Sequence, residues 1–185
     1  MSGIIGQNIG RSSGLKKVLP AGGNTPYFMA RRGTTSCSGD ACSQSTSDNS
    51  YTKAYFNQMQ LDTDSCYDAS NYRFTPNKAG KYYMFANCYI GEYTDRMIEF
   101  WCEFRINGSQ YGKGMQKKYS GSEQSSGYDK DNHCHAYLDM IIDFNGSSDY
   151  IETWIKINQS ANYARLFGGT QSNHASYWGG FFIGT

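Results

Sequence analysis

The alternation of side chains along residues 98–106 constrains the fold more than any other feature of this sequence. Ile98, Phe100, Cys102, Phe104 and Ile106 share one face of an extended strand, with Glu99, Trp101, Glu103 and Arg105 on the other, because successive strand side chains point to opposite sides. A helix gathers neither set on one face. The same period returns at Ala136, Leu138, Met140, Ile142 and Phe144, opposed by Tyr137, Asp139, Ile141 and Asp143. It returns again at Ile151, Thr153, Ile155 and Ile157, opposed by Tyr150, Glu152, Trp154 and Lys156. Asn107-Gly108 and Asn145-Gly146 close the first two runs with turn dipeptides. Phe104, Leu138, Ile142 and Ile155 are the predicted core.

Residues 81–90 break the wet-on-one-side rule. Tyr82, Met84, Ala86, Cys88 and Ile90 form one face, while Tyr83, Phe85, Asn87 and Tyr89 form a second that is nearly as apolar. An antiparallel strand with one solvated side shows a polar second face, so this strand is predicted to be covered twice. Before it, residues 71–80 read as a short strand closed by a turn around Pro76 and Gly80. Weaker strand signals lie at residues 25–31 and 52–61, with a Ser/Thr-rich loop between them, and residues 177–183 supply a final strand. Residues 109–132 read as a long polar loop. No segment has a convincing amphipathic helical pattern. With 21 Gly, 16 Tyr and only 3 Pro, the chain reads as an all-β sandwich or jelly roll.

Composition also narrows function. A net charge of +1 leaves nothing to neutralise phosphates systematically, so no nucleic-acid partner is expected. No apolar run approaches the ~20 residues of a spanning helix, so no membrane insertion is expected. The 3 histidines are His133, His135 and His174. His133 and His135 flank Cys134, but neighbours in one strand point to opposite faces and cannot work as a nucleophile–base pair. No catalytic residue is assigned, and the chain is expected not to be an enzyme. Asp129-Lys130-Asp131-Asn132 lacks the ordered carboxylates of a calcium loop. Of the 6 Cys, Cys88 and Cys102 are predicted to be small core hydrophobes. A disulfide between Cys37 and Cys42, which flank a short polar loop, is left open.

Residues 1–23 stand apart. Ile4, Ile5, Ile9, Leu15 and Leu19 alternate with Gly3, Gly6, Gly10 and Gly14, too few to bury themselves and too apolar for an ordinary solvated tail. They are predicted to be an extended arm anchored on another protein, ahead of one domain at residues 24–185. The opening residues carry no basic region followed by an apolar stretch, so no signal peptide is expected.

The order of these signals resembles the C1q/TNF superfamily. Phe74, Pro76, Ala79-Gly80 and Tyr82-Tyr83-Met84-Phe85 are similar to that family's Phe, Pro, Ala-Gly turn and Tyr-rich strand. Asn107-Gly108, the passage from Phe144-Asn145-Gly146 to Asp149-Tyr150-Ile151, and the closing residues Ser176 to Ile183 follow its later pattern. The resemblance covers residues 24–185 and departs in the long segment 109–132. It implies a jelly-roll sandwich that assembles as a homotrimer through aromatic faces, without catalysis. Tyr83, Phe85, Tyr89 and Trp154 are the predicted interface. On a threefold axis, His133 and His135 would gather imidazoles from all copies, as an octahedral transition metal requires. Solvated histidines at a loop–strand junction are the simpler reading, and no metal or other cofactor is expected. The opening residues 1–15 resemble the arms of structural proteins of marine tailed bacteriophages. Together these resemblances imply a virion surface protein assembled in the host cytoplasm. Its arm would meet other virion proteins, and its head would serve as a short fibre, a spike binding a host-surface glycan or protein, or a capsid decoration. The alternative is a soluble cellular C1q-like lectin or ligand-binding protein.

Overall fold

The computed structural model describes residues 24–33, 42–91, 97–114, 117–118, 133–159, 164–169 and 175–185. In chain order they form β1 (Tyr27–Arg31), β2 (Gln44–Ser45), β3 (Thr52–Lys53), β4 (Gln58–Asp62), β5 (Tyr67–Asp68), β6 (Arg73–Phe74) and β7 (Gly80–Gly91). These are followed by β8 (Met97–Ile106), β9 (Ser109–Lys113), β10 (Lys117–Lys118), β11 (His133–Phe144), β12 (Ile151–Gln159), β13 (Arg165–Leu166) and β14 (Tyr177–Gly184). Among the described residues there is no α-helix.

Two antiparallel sheets stack face to face. The first is built on β7, whose whole length pairs with β11, from Gly91 opposite His133 to Gly80 opposite Phe144. β14 and then β13 share the other edge of β7, and β14 passes on to β1 and β4. The second sheet is built on β8, which pairs with β12 from Ile106 opposite Ile151 to Met97 opposite Gln159. β9 and β10 take the other edge of β8, while β6 and β3 share the far edge of β12.

Alternation decides what lies between the sheets. Tyr82, Met84, Cys88 and Ile90 from β7 meet Phe100, Cys102 and Phe104 from β8, all wholly buried. The four residues predicted for the core, Phe104, Leu138, Ile142 and Ile155, are buried there. Aromatic rings fill one end, where Phe28 stacks on Phe74 at 4.2 Å and on Tyr67 at 5.2 Å, with Trp178 edge-on at 4.8 Å. Rings packed in this way add about 0.5–1.5 kcal/mol per pair to the area they bury. Cys88 and Cys102 are free and buried, in agreement with their reading as core hydrophobes. The Cys102 contact and burial both push the Cys88 thiol up, keeping it protonated.

The polar stretch read as one loop over 109–132 holds two strands, β9 and β10. Asn107 and Gly108 have φ of 51° and 81°, both left-handed as a tight hairpin requires, and they fold β9 back onto β8. β9 has no apolar alternation of its own. Its strand form comes from the backbone groups of β8, which would otherwise lack partners.

Candidate functional site

The outer face of the second sheet is a network of ion pairs and cation-covered rings. Across it, Glu103 on β8 lies opposite Lys113 on β9 and Trp154 on β12, and Trp154 lies opposite Lys53 on β3. In the next row Arg105, Glu152 and Arg73 are cross-strand neighbours. Both carboxylates are buried, Glu103 at 0% and Glu152 at 3% exposure. Arg105 Nε donates to Glu103 Oε1 at 2.6 Å, and Lys53 Nζ and Arg73 Nη2 each donate to Glu152 Oε1 at 2.8 Å. Trp154 Nε1 donates to Glu152 Oε2 at 3.0 Å. Burial pushes the Glu152 carboxyl up, but the hydrogen bonds from Lys53, Arg73 and Trp154 together hold it below its usual 4.5. Cations also cover the rings: Arg105 lies 4.1 Å from the Trp154 ring centre, and Lys113 lies 3.8 Å from that of Trp101. Most side chains of this sheet face satisfy one another; among the described residues Glu103 Oε2 is buried without a hydrogen-bond partner.

The outer face of the first sheet differs in kind. Its strand register lays apolar side chains in rows: Ile141, Tyr83, Phe181 and Tyr27 across β11, β7, β14 and β1, then Phe85, Gly179, Met29 and Leu61 across β7, β14, β1 and β4. Tyr83 packs on Phe181 at 5.5 Å and on Phe85 at 6.1 Å. A Cβ on Gly179 would stand 2.8 Å from Phe85 Cζ, so only glycine lets this ring lie across β14. Large apolar groups remain in solvent, with Ile141 58%, Tyr137 51% and Leu61 50% exposed. Beside β1 the rows open into a groove of about 590 Å³ bounded by Tyr27, Met29, Leu61, Phe85 and Phe181. Monomeric proteins rarely expose so continuous an apolar patch without a use for it.

The predicted interface residues separate. Tyr83, Phe85 and Tyr89 share the first sheet's outer face, as their common parity on β7 requires. Trp154 does not join them; it stands on the second sheet with its indole N–H held by Glu152. Period-two alternation says which residues face outwards, and not which of two sheets they face outwards from. Phe181, Tyr27, Met29 and Ile141 complete the patch and were not singled out from the sequence. The apolar second face of residues 81–90 was the signal that a patch existed, but its strand neighbours are distant in sequence.

His135 also lies on the first face. It stacks between Tyr89 at 4.6 Å and Tyr137 at 5.7 Å, with Nδ1 2.9 Å from Asn87 Oδ1. Burial lowers its pKa from 6.5. The His133 side chain lies outside the described residues, as do Ile4, Ile5, Ile9, Leu15 and Leu19 of the arm, His174, and residues 129–132. Among the described residues no three His, Cys, Asp or Glu side chains group as a metal site would need. Cys42 is disulfide-bonded; Cys37 lies outside the described residues.

Solved structures share this sandwich. The globular domain of the zebrafish complement 1qA protein is similar over 86% of this chain and 98% of its own, with 11% identity and a TM-score of 0.50. Murine APRIL is similar over 85% and 98%, with 10% identity and a TM-score of 0.53. The fold is a C1q/TNF-like jelly roll. The Eiger TNF of S. frugiperda agrees, over 85% of this chain and 93% of its own, at 10% identity and a TM-score of 0.55. No protein-family model matches the sequence, and no curated protein matches it. The jelly roll places strands of even spacing around a filled core, leaving its two outer faces and its loops as working surfaces.

Proposed function

We propose that this chain is a non-enzymatic binding head that assembles as a homotrimer through the outer face of its first sheet and is carried on a virion by residues 1–23. The observation that carries the assembly is the apolar grid in which half-buried Tyr83, Phe85, Phe181 and Met29 adjoin exposed Ile141 and Leu61 on one outer face. Covering the part of such side chains still in water contributes at most roughly 1.5–3 kcal/mol each. The attachment to a particle is supported by the apolar, Gly-spaced arm and by its resemblance to the arms of phage structural proteins. Three arms on one trimer raise the effective concentration of each, so that modest single-arm affinity gives firm attachment. The head would serve as a short fibre or spike that binds a host surface, or as a capsid decoration.

One experiment tests both halves. Deletion of residues 1–19 is expected to leave a folded trimer in sedimentation equilibrium at micromolar concentration while abolishing incorporation into particles. A monomer at that concentration removes the trimer, and normal incorporation of the shortened chain removes the arm's role. The second reading, a soluble cellular C1q-like lectin or ligand, is favoured by the disulfide at Cys42, since such bonds persist mainly in oxidising surroundings.

A further inference from the structure

The second sheet's outer face also carries a groove. At the sheet's β3 edge this groove of about 430 Å³ opens between the chain around Tyr51 to Tyr55, the turn Ser70 to Tyr72, and Trp154 on β12. That volume falls in the ~300–1,000 Å³ range of small-ligand sites. Aromatic rings make its walls: Tyr55 stacks on Tyr72 at 4.6 Å, Tyr51 and Tyr55 are 38% and 40% exposed, and Trp154 stands opposite Lys53. Polar groups make its rim. Asp68 Oδ1 accepts from the backbone N–H of Ser70 at 2.8 Å and of Asn71 at 3.2 Å, and Asp68 Oδ2 accepts from Asn71 Nδ2 at 2.6 Å. The turn is thereby fixed, and no hydrogen bond among the described residues occupies the Asn71 amide oxygen.

Two further features bear on what fits. Tyr72 has φ of 54°, a left-handed conformation that bulky residues avoid and glycine adopts freely. Strain of this sort gathers at binding sites, and here it aims a ring at the groove. The charge is closed: Lys53, the cation in the lining, is bound to Glu152 at 2.8 Å. An anion gains little there, whereas a neutral ligand with apolar faces and hydroxyl edges matches both the rings and the rim.

We infer that the groove walled by Tyr51, Tyr55, Tyr72 and Trp154 binds a neutral saccharide, its C–H face laid on the Tyr55 and Tyr72 rings, since Arg105 covers those of Tyr51 and Trp154, and its hydroxyls bound by Asn71, Ser70, Thr52 and Lys53. The inference rests on the reading of the chain as a binding head, and gives that head its ligand class and site. Each ring offers a rigid, amphipathic surface at small entropic cost.

The test applies the full chain to an array of neutral oligosaccharides of hexoses and N-acetylhexosamines, beside sulfated and uronic-acid oligosaccharides and an oligothymidine. The strongest binder is then titrated against Tyr72→Gly and Tyr55→Ala. Tyr72→Gly removes a ring while relieving the backbone, so it keeps the fold. A neutral saccharide is expected to bind, and each variant to weaken it about tenfold or more with thermal unfolding essentially unchanged. Retention of no neutral saccharide, preference for the acidic sugars or the oligothymidine, or an affinity that neither variant moves would overturn the assignment. Sedimentation of the same samples separates the two readings: a monomer that binds sugar leaves this site standing without the trimer, and a trimer that binds none loses the site alone.

Discussion

On the second sheet Trp101 and Trp154 lie beneath Lys113 and Arg105, while on the first sheet no cation among the described residues covers Tyr83, Phe85 or Phe181. Both faces are rich in rings, and both descend from strands with the same period. What differs is the residue type interleaved between the rings. On β8 and β12 the outward positions hold Trp101, Glu103, Arg105, Glu152, Trp154 and Lys156, so each ring finds a cation and each carboxylate a donor. On β7 and β14 they hold Tyr83, Phe85, Tyr177, Gly179 and Phe181, which leave one another's outer surfaces in water. A face that satisfies itself stabilises the monomer; a face that cannot do so stabilises an assembly.

Substitutions on the two faces should therefore fail in different ways. The largest effect is expected from Arg105→Ala. It strips the wholly buried Glu103 of its ion-pair partner, and leaving a buried charge unpaired costs about 3–5 kcal/mol. Denaturant melts should show that loss at any protein concentration; a loss confined to dilute samples would place this face in an interface instead. Next comes Phe181→Asp, at the centre of the apolar grid. It should move the association equilibrium by about 2 kcal/mol or more, as at the centre of other interfaces, and leave the dilute monomer's unfolding nearly unchanged. Equal destabilisation at all concentrations would show that the grid serves the monomer.

The smallest expected effect is that of pH on association. The His135 pKa is lowered by burial, so the folded head prefers the neutral ring. A covering subunit would strengthen that preference. The contribution to association is then fully present above the ordinary value of 6.5, and is lost as the pH falls through the lowered value. Sedimentation should show a several-fold weaker trimer near pH 5 than near pH 7, with the dependence flattened by His135→Phe. A profile that the substitution does not change would assign the titration to another group.

The sequence by itself determined the layers and most of the strands. Alternation along 98–106, 136–144 and 151–157 separated inward from outward side chains correctly, and Asn107-Gly108 marked a hairpin because few residues tolerate its left-handed backbone. It also showed that residues 81–90 have two apolar faces. Only the tertiary structure decided the rest. β9 is a strand because the edge of β8 needs hydrogen-bond partners, a demand that the residues of β9 do not announce. Trp154 and Tyr83 are both outward-facing aromatics, yet opposite sheets claim them, since alternation is a local property and sheet membership is set by pairing between distant strands. Tyr51, Tyr72 and Trp154 meet across a groove only because β3, the turn after β5 and β12 are joined in one sheet. A site assembled from three separate segments leaves no pattern in any one of them.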